Sequence, residues 1–460
     1  MKHLTFYTLL IPLVAMAACM CKPPSGPVEN PFDNDGEAAL KVNVTSRADT
    51  VRLDWELLSK KEFDTYRIEV KDLGIGLSVP ASANGCEIPH FSRYNEAVKC
   101  RIALMKGSEA VDELTIHVNI DGLDAEMLAK VMPDHGSVCA GDGMYSVALP
   151  DGRSIFLIGD SFVCDVTNGS RPASAHMYRN TYIVYDPATG KASPIYDFRG
   201  PGTQSSAAVP PGHPFEDKWY WPLDGFVAGN KLYVFQSLMY MKGEGMWGFA
   251  YDSSSLLRYS LPDLKLEKDE PILFKSDKEI HYGAAAFNDG DYIYIYAQVD
   301  VTNDIDAKTD VYCARATVDN LYGSWEYWNG KSWTNDSSAA VGLSGLSSVS
   351  VSSQFNVFPL KDRYVLLTEN KKLWVNEIYT FTSASPTGPW GNKKTIYVVP
   401  PFKDSNLMCY NAMAHPQFVK DGMILVSYDM NTSDFAQQAK DVSTYRPRFF
   451  WVDIDTILKY

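Results

Sequence analysis

The feature that most constrains the fold is a two-strand pattern that recurs five times between residues 134 and 460. Each copy has a strand ending in small or polar residues, a tight turn, and a strand of β-branched and aromatic residues. The copies occupy residues 140–161, 222–237, 283–298, 352–369 and 413–429. Their turns fall at 150–152, 229–230, 288–290, 361–362 and 421–422 and contain residue types that tolerate tight hairpin dihedrals. The pattern therefore predicts five β-hairpins.

The spacing of the copies indicates how many strands each repeat holds. The second strands begin 60 to 77 residues apart, which leaves room for further strands between the hairpins. Strand-like runs are found there at 181–185, 256–259, 311–314 and 378–381. About four strands per repeat is typical of the blade of a β-propeller, which protects sheet edges by radial repetition. We predict a five-bladed β-propeller over residues 134–460, closed by residues 449–454 joining the first blade; six blades are the alternative.

Residues 38–120 have a different pattern, in which apolar residues occupy every second position. This alternation predicts strands with one buried face at 40–44, 50–55, 66–70, 100–104 and 114–118. Strands of this number and length form a small antiparallel sandwich. The arrangement resembles a fibronectin type III module, with Trp55 and Tyr66 in its core, and such a module is usually a spacer. The chain is thus expected to be all-β, a sandwich followed by a propeller.

The N-terminus has the pattern of an export signal. Two polar residues precede an apolar run at 4–18, which is too short to span a bilayer and typical of a secretory signal. The run ends Ala17-Ala18-Cys19, which resembles a bacterial lipobox, so residues 1–18 are predicted to be removed and Cys19 to carry lipid. Residues 19–37 are Pro-rich and predicted to form a tether. The alternative to the lipobox is an ordinary signal peptidase site. The expected location is the bacterial cell envelope, on either face of the outer membrane.

Charge and cysteine content narrow the range of partners. The net charge of −14 and the lack of any basic run exclude a nucleic-acid backbone as partner, and the lipid anchor is the only membrane contact expected. The cysteines show no spacing typical of a metal site, so no metal ligands are assigned. Cys86 and Cys100 form the one candidate disulfide, with burial as small apolar residues as the alternative.

Equivalent positions of the five copies are expected to face the central axis of a propeller. The polar positions of the first strands are Asp142, Asp224, Gln354 and His415, with Ala in the third copy. The last positions of the second strands are Asp160, Gln236, Gln298, Glu369 and Asp429. Carboxylates crowded without partners are costly, and their pKa values move apart. One protonated and one ionised carboxyl group are the working pair of glycoside hydrolysis, so these acids predict that chemistry.

Basic and aromatic residues near these positions suit sugar binding. Guanidinium groups hold carboxylates and hydroxyl groups bidentately, and aromatic rings stack on the C–H faces of sugars. The residues predicted to contact the substrate are Arg179, Trp219, Trp221, Tyr282, His415, Tyr428, Asp429 and Arg446.

Several short motifs also resemble a known family. They are Gly159-Asp160-Ser161-Phe162, Arg179-Asn180-Thr181, Leu223-Asp224-Gly225-Phe226, Ala414-His415-Pro416 and Ser427-Tyr428-Asp429-Met430-Asn431. Together they resemble a domain-of-unknown-function family of secreted bacterial propellers that is similar to endo-D-arabinanases, and more distantly to furanosidases acting on arabinan and xylan. The resemblance implies that Asp142 and Asp160 are catalytic. Asp224 and Glu369 are predicted from their positions in the repeat to be supporting acids. The resemblance also implies a calcium ion near His415 at the axis; no cofactor is otherwise required.

Two functions therefore fit the sequence. The first is a lipid-anchored glycoside hydrolase of the endo-acting furanosidase type that cleaves a furanose-containing, arabinan-like polysaccharide with Asp142 and Asp160. The second is a non-catalytic glycan-binding or scaffold propeller of a polysaccharide uptake system. A calcium-stabilised adhesion propeller is a poorer third, because no loop has EF-hand spacing.

Overall fold

The structure, a computed structural model, describes most of the chain after the predicted tether. The described residues are 39–47, 50–88, 98–118, 122–200, 203–245, 248–272, 279–300, 309–346, 349–371, 376–399, 402 and 404–459. The predicted signal peptide, the lipidation site Cys19 and the tether lie outside them. Within these ranges, no helix has the length and apolar character needed to span a membrane.

The described residues of the N-terminal region form seven strands in two antiparallel sheets. The strands are Leu40–Arg47 (β1), Thr50–Leu57 (β2), Thr65–Val70 (β3), Ile75–Pro80 (β4), Gly85–Ile88 (β5), Val98–Lys106 (β6) and Glu109–Val118 (β7). One sheet has the order β1-β2-β5 and the other β4-β3-β6-β7. All five strands predicted from the alternation are present, and β4 and β5 are additional.

One apolar core joins these two sheets. Trp55 and Tyr66 are both buried in it, as predicted, with ring centroids 4.8 Å apart. Cys86 and Cys100 also lie in this core as free thiols, one on each sheet. Their pairing as a disulfide stays a prediction, as does the assignment of the region to the fibronectin type III group.

The described residues of the remainder of the chain form twenty-three strands, named here in chain order. The first group is Val138–Gly141 (β8), Tyr145–Ala148 (β9), Ser154–Ile158 (β10), Ser161–Val163 (β11), Met177–Tyr178 (β12), Thr181–Asp186 (β13) and Lys191–Ile195 (β14). The second is Lys218–Ala228 (β15), Lys231–Met241 (β16), Phe249–Ser260 (β17) and Leu266–Pro271 (β18). The third is His281–Asn288 (β19), Ile293–Asp300 (β20), Thr309–Ala316 (β21), Glu326–Trp328 (β22) and Trp333–Thr334 (β23).

Two further groups complete the chain. The fourth is Asn356–Leu360 (β24), Arg363–Glu369 (β25), Glu377–Ser383 (β26) and Gly391–Val398 (β27). The fifth is Leu407–Lys420 (β28), Met423–Thr432 (β29) and Arg448–Asp453 (β30). The helices are Ala125–Val131 (α1), Phe435–Lys440 (α2) and Ile454–Leu458 (α3).

All five predicted hairpins are confirmed. The antiparallel pairs are β9 with β10, β15 with β16, β19 with β20, β24 with β25, and β28 with β29. The turns have the predicted strained positions: Lys361 and Asp421 adopt a positive φ, as do the glycines of the other three. The four runs predicted between the hairpins form β13, β17, β21 and β26, each of which pairs with the second strand of its hairpin.

The five sheets surround an axis. Their first strands contact one another in chain order, β9 with β15, β15 with β19, β19 with β24, and β24 with β28. The last of them, β28, contacts β9 and completes the circle. The result is an all-β, β-propeller-like fold in which polar groups of the innermost strands meet near the centre.

The segment that closes the circle is not the one predicted. Residues 449–454 do not join the first sheet, because β30 pairs with β29 as the third strand of the fifth. Instead, the segment before the first sheet reaches the last one: Leu123 forms a bridge with Phe450, and the backbone N–H of Asp124 donates to the carbonyl of Phe449 at 2.6 Å. The hydrophobic pattern of residues 449–454 showed a strand but not which neighbour it would take.

Asp124 makes closure sensitive to a single side chain. Its carboxylate caps α1 through the N–H of Met127 at 2.9 Å and accepts the indole N–H of Trp451 at 2.9 Å. We expect Asp124→Ala to lower the free energy of unfolding by about 1–3 kcal/mol, because both donors lose their partner. Asp453→Ala removes the cap of α3 without touching the closure and is the matched control. Equal losses in the two variants, measured by denaturant unfolding, would contradict the assigned role.

Candidate active site

The first sheet is interrupted at one level across three consecutive strands. Residues 142–144 separate β8 from β9, residues 159–160 separate β10 from β11, and residues 179–180 separate β12 from β13. The outer pieces form their own small sheet, with the order β12-β11-β8. Interruptions of this kind redirect side chains and are over-represented beside active sites.

The pairing register is the same on both sides of the break. Gly141 lies opposite Ser161 and Tyr145 lies opposite Leu157, which aligns Asp142 with Asp160. In the same way, the pairs on the other side of the central strand align Asp160 with Arg179. We call Asp142, Asp160 and Arg179 the carboxylate row. Two acids directly opposite each other repel, so their pairing is unfavourable for stability.

Two glycines make this arrangement possible. Gly143 has a φ of 98°, a conformation that other residues rarely adopt, and its N–H donates to Asp429 Oδ2 at 2.6 Å. A Cβ on Gly159 would lie 2.9 Å from Asp142 Oδ1, so the carboxylate occupies space that any other residue would fill. The chain can therefore bring Asp142 against the neighbouring strand only because that position has no side chain.

Asp160 is held by two donors. Its Oδ1 accepts the indole N–H of Trp221 at 3.0 Å, and its Oδ2 faces Arg179 Nη1 at 3.4 Å. Its side chain is 21% exposed, so it is reachable from solvent. Burial raises the pKa of Asp160, while the charge of Arg179 and the Trp221 bond act in the opposite direction and favour the ionised form.

Asp142 has a different environment. Its Oδ2 accepts the hydroxyl of Tyr410 at 2.5 Å, and it is partly buried. Burial raises the pKa of Asp142 to about 7, and the charge of Asp160 acts in the same direction, against the hydrogen bonds from Tyr410 and Tyr445. Tyr445 also fixes the backbone of the row, since its hydroxyl donates to the carbonyl of Asp160 at 2.8 Å.

The row therefore holds two carboxyl groups with unlike titration. Asp142 has no cationic partner among the described residues, and burial raises its pKa to about 7, whereas Asp160 faces a guanidinium and an indole donor that favour its ionised form. A protonated carboxyl beside an ionised one, both reachable from solvent, is the arrangement of a general acid with a base or nucleophile.

The other predicted acids have structural roles. Asp224 is buried and accepts two backbone N–H groups, that of Gly225 at 2.8 Å and that of Ala286 in the next sheet at 2.9 Å. Glu369 accepts the N–H of Asn411 in the following sheet at 2.7 Å. Asp429 is fully buried, and burial followed by the charge of Asp142 raises its pKa. These carboxylates tie neighbouring sheets together through backbone donors, and the role of Asp224 and Glu369 as supporting acids stays a prediction.

The buried carboxyl group of Glu369, which accepts the N–H of Asn411, predicts a pH-dependent stability. Burial raises the pKa of Glu369 to about 8, well above the value expected in the unfolded chain. The folded state then binds more protons, so the free energy of unfolding falls as pH rises between about 4.5 and 8. We expect Glu369→Gln, which keeps an acceptor for Asn411, to be more stable than the parent at pH 8 by about 1–3 kcal/mol, with little difference at pH 4. Equal stability of the variant and the parent at pH 8 as well as at pH 4, measured by urea unfolding, would contradict this.

His415 does not reach the carboxylate row. It is fully buried, with Nδ1 2.7 Å from Ser146 Oγ and Nε2 2.9 Å from Ser427 Oγ. Burial lowers the pKa of its imidazole to about 3, so the ring is neutral. Both ring nitrogens are engaged, and no group of three His, Cys, Asp or Glu side chains able to hold a metal ion occurs in the described part of the chain. A calcium ion near His415 stays a prediction.

Several predicted substrate contacts are corrected by burial. Trp219 is buried beneath Arg179, whose guanidinium lies 4.4 Å from its ring centre, so it supports the row from below. Tyr282 and Tyr428 are packed in apolar cores. Arg446 donates to the carbonyl of Cys139 at 2.6 Å and pairs with Asp134 at 2.9 Å, away from the acids. Of the predicted contacts, only Trp221 and Arg179 touch Asp160 and remain partly exposed.

Sequence reasoning missed the residues that surround the row. Tyr410 bonds Asp142, Asn411 bridges Glu369 and Asp429, and Glu216 lies 3.5 Å from Arg179. Tyr410 and Asn411 directly precede the fifth copy of the repeat, where the register of β28 shifts. The signal that could have found them is the bulge within the innermost strands: Gly283 marks it in β19, but in β28 the residue with positive φ is Asn411, which the sequence does not single out.

Among solved structures, one shares this fold and others are more distantly similar. A crystal structure of a candidate hydrolase from Bacteroides ovatus ATCC 8483 is similar at 22% identity with a TM-score of 0.58, over 72% of this chain and 89% of that one, and shows a shared fold. A GH43 β-xylosidase/α-arabinofuranosidase from a compost metagenome matches at 14% identity with a TM-score of 0.41, over 70% and 92% of the two chains. A family 117 glycoside hydrolase from Zobellia galactanivorans matches at 13% identity with a TM-score of 0.37, over 69% and 86%.

Sequence comparison places the chain in a family. No curated protein sequence matches it. Residues 132–454, which contain all five hairpins and the carboxylate row, match the family described as Domain of unknown function (DUF5005). The match covers more than half of the chain, and the chain therefore belongs to this family.

Proposed function

We propose that the protein is a glycoside hydrolase whose chemistry is carried out by Asp142 and Asp160. The observation that carries this proposal is the carboxylate row, in which two partly exposed acids lie opposite each other with environments that separate their pKa values. The buried acids Asp224, Glu369 and Asp429 are already bonded to backbone donors, which leaves this pair as the working one.

The geometry supports a definite division of labour. Asp142 is the general acid: its proton passes to the glycosidic oxygen as the bond to the anomeric carbon breaks. Asp160, whose ionised form Arg179 and Trp221 favour against burial, either attacks the anomeric carbon or removes a proton from the attacking water. A carboxyl separation of about 5 Å leads to retention of configuration and one of roughly 6.5–9.5 Å to inversion. Arg179, whose side chain is partly exposed, also offers guanidinium donors to sugar hydroxyl groups beside Asp160.

The wider context is part of the same proposal. We propose that the five sheets are the blades of a five-bladed propeller, that the N-terminal sandwich is a fibronectin type III-like spacer, and that a lipid on Cys19 anchors the chain to the outer membrane. The resemblance of the motifs around Asp160 and Asp224 supports a furanose-containing, arabinan-like polysaccharide as the substrate. The partly exposed Trp221, which packs against Phe249 with ring centroids 4.7 Å apart, provides an aromatic surface beside Asp160 for a sugar ring.

A binding assay paired with a turnover assay tests this function. The purified chain is incubated with arabinan, xylan and arabinogalactan, and the release of reducing ends is measured next to binding by affinity electrophoresis. Release from at least one glycan supports the proposal. Binding without release over a long incubation would instead identify a non-catalytic glycan-binding protein.

Tyr410 supplies a pH signature of this mechanism. Burial and the charge of Asp142 raise the pKa of Tyr410, so its hydroxyl stays protonated and donates to that carboxylate. This bond lowers the pKa of Asp142, so Tyr410→Phe is expected to raise it and to move the alkaline limb of the kcat/KM profile upward by about one pH unit. The rate at the optimum should fall about 10-fold, because the acid is less well oriented. An unchanged alkaline limb would rule out Asp142 as the group that titrates there. Tyr251→Phe, which removes a buried hydroxyl bonded only to Ser254, is the control.

A further inference from the structure

Two cysteines lie side by side at the outer end of the carboxylate row. Cys139 is in β8, and Cys164 directly follows β11, the neighbouring antiparallel strand. Phe162 pairs with Ala140 and Val163 pairs with Val138, so Cys139 is the extra residue of a β-bulge. The bulge places the two residues next to each other although they are far apart in the sequence.

The side chains meet inside one apolar cluster. Cys139 is fully buried, and Cys164 packs against the same cluster while remaining partly exposed. The two thiols are hydrogen-bonded to each other. Cys313 and Cys409 differ, because neither has another cysteine among its interaction partners in the described ranges.

The surroundings favour thiolate chemistry at this pair. Arg171 lies across the ring of Phe162 at 3.5 Å, and Arg446 donates to the backbone carbonyl of Cys139 at 2.6 Å. The hydrogen bond from Cys139, followed by the charge of Arg171, lowers the pKa of Cys164, whereas the pKa of Cys139 is raised by that bond and by burial. The more exposed thiol is thus also the more readily ionised one, which is the order needed for attack on an external disulfide.

We propose that Cys139 and Cys164 form a disulfide bond when the chain meets an oxidising small-molecule disulfide. The Cys164 thiolate attacks one sulfur of oxidised glutathione, and the first glutathione leaves as a thiolate that takes up a proton. The Cys139 thiol then gives up its proton and attacks the Cys164 sulfur, and the second glutathione leaves in the same way. Two protein thiols are oxidised and one glutathione disulfide is reduced to two thiols.

The bond would join the two strands that adjoin Asp142 and Asp160. β8 ends one residue before Asp142, and β11 begins directly after Asp160, so the cross-link closes the loop on the outer side of the row. A covalent link here restricts the unfolded chain and keeps β8 and β11 paired beyond the break. The inference does not depend on the proposed hydrolase activity.

Peptide mapping tests the bond directly. The purified chain is incubated under native conditions with oxidised glutathione, its remaining thiols are alkylated, and it is digested without reductant. We expect a peptide pair linked through Cys139 and Cys164, which disappears on reduction, while Cys313 and Cys409 are recovered alkylated. Recovery of Cys139 and Cys164 as alkylated thiols, or of Cys164 joined only to glutathione, would overturn the proposal.

Thermal unfolding provides a second measurement. In a Cys86→Ser background, which leaves Cys100 without its neighbour, a reductant is expected to lower Tm by roughly 5 °C. Adding Cys313→Ser should leave this response intact, whereas adding Cys139→Ser and Cys164→Ser should abolish it. A reductant response of the same size without Cys139 and Cys164 would show that the bond does not exist. If the double variant fails to fold, Cys164→Ser alone, which changes only the more exposed thiol, gives the same readout.

Discussion

Replacing Asp142 by Asn is expected to lower kcat by about 10³-fold while the fold is retained. The reason is the environment of this side chain, in which burial raises the pKa of Asp142 to about 7 and Tyr410 bonds its Oδ2. An amide has nearly the shape of the neutral acid and can still accept that bond. It has no proton to give to a leaving group.

Asp142→Asn is also expected to raise stability at high pH, although it lowers activity. Because the pKa of Asp142 is raised in the folded state, its ionisation costs stability as pH rises from about 4 through 7. Asp142→Asn should therefore unfold at a higher urea concentration than the parent at pH 8. Asp165→Asn, which removes the same charge from an exposed side chain, is the control and should change neither quantity. Full activity in Asp142→Asn would exclude this residue as the acid.

Asp160→Asn is expected to cause a loss of similar size, about 10³-fold in kcat, for a different reason. The Trp221 indole and the Arg179 guanidinium are positioned for an ionised acceptor, and an amide cannot act as nucleophile or base. The charge of Asp160 also raises the pKa of Asp142. The alkaline limb of the variant's residual activity should thus lie at a lower pH than the alkaline limb of the parent.

Chemical rescue separates the two roles. In Asp160→Ala, azide can take the place left by the carboxylate and is expected to restore turnover with formation of a glycosyl azide, whereas Asp142→Ala should respond only with substrates whose leaving group needs no proton. The Asp142→Ala variant then reports the mechanism: with such a substrate, a retaining parent gives a glycosyl azide of retained configuration from the covalent intermediate, whereas an inverting parent gives none. The same pattern of rescue in both variants would contradict the assignment of acid and nucleophile or base.

The parts of the fold that were predictable are those encoded locally. Each hairpin combines a turn such as Asp421-Gly422 with alternating or β-branched strands, and both signals lie within about twenty residues of sequence. The pairing of Asp142 with Asp160 was also within reach, because both belong to one hairpin repeat and the turn at 150–152 sets the register between them.

Other features depend on contacts between distant segments. The repeat placed Asp224, Glu369 and Asp429 near the axis but could not show that backbone N–H groups of the next sheet would occupy them. The sequence does not reveal these donors, because they belong to the backbone and not to a side chain. The closure through Leu123 was not predictable for a similar reason, because it pairs segments at opposite ends of the fold. The contact between Cys139 and Cys164 was not predictable because it depends on a bulge in the strand pairing.

The measurement that tests the central claim most directly is product release by three proteins side by side. The parent, Asp142→Asn and Asp160→Asn are incubated with the same arabinan, xylan and arabinogalactan panel, and new reducing ends are counted at pH 6. We predict release by the parent from at least one glycan, and a loss of about 10³-fold in both variants with binding retained. Equal release by the parent and either variant, or binding by all three with no release by any, would contradict the claim that the carboxylate row is a glycosidase site.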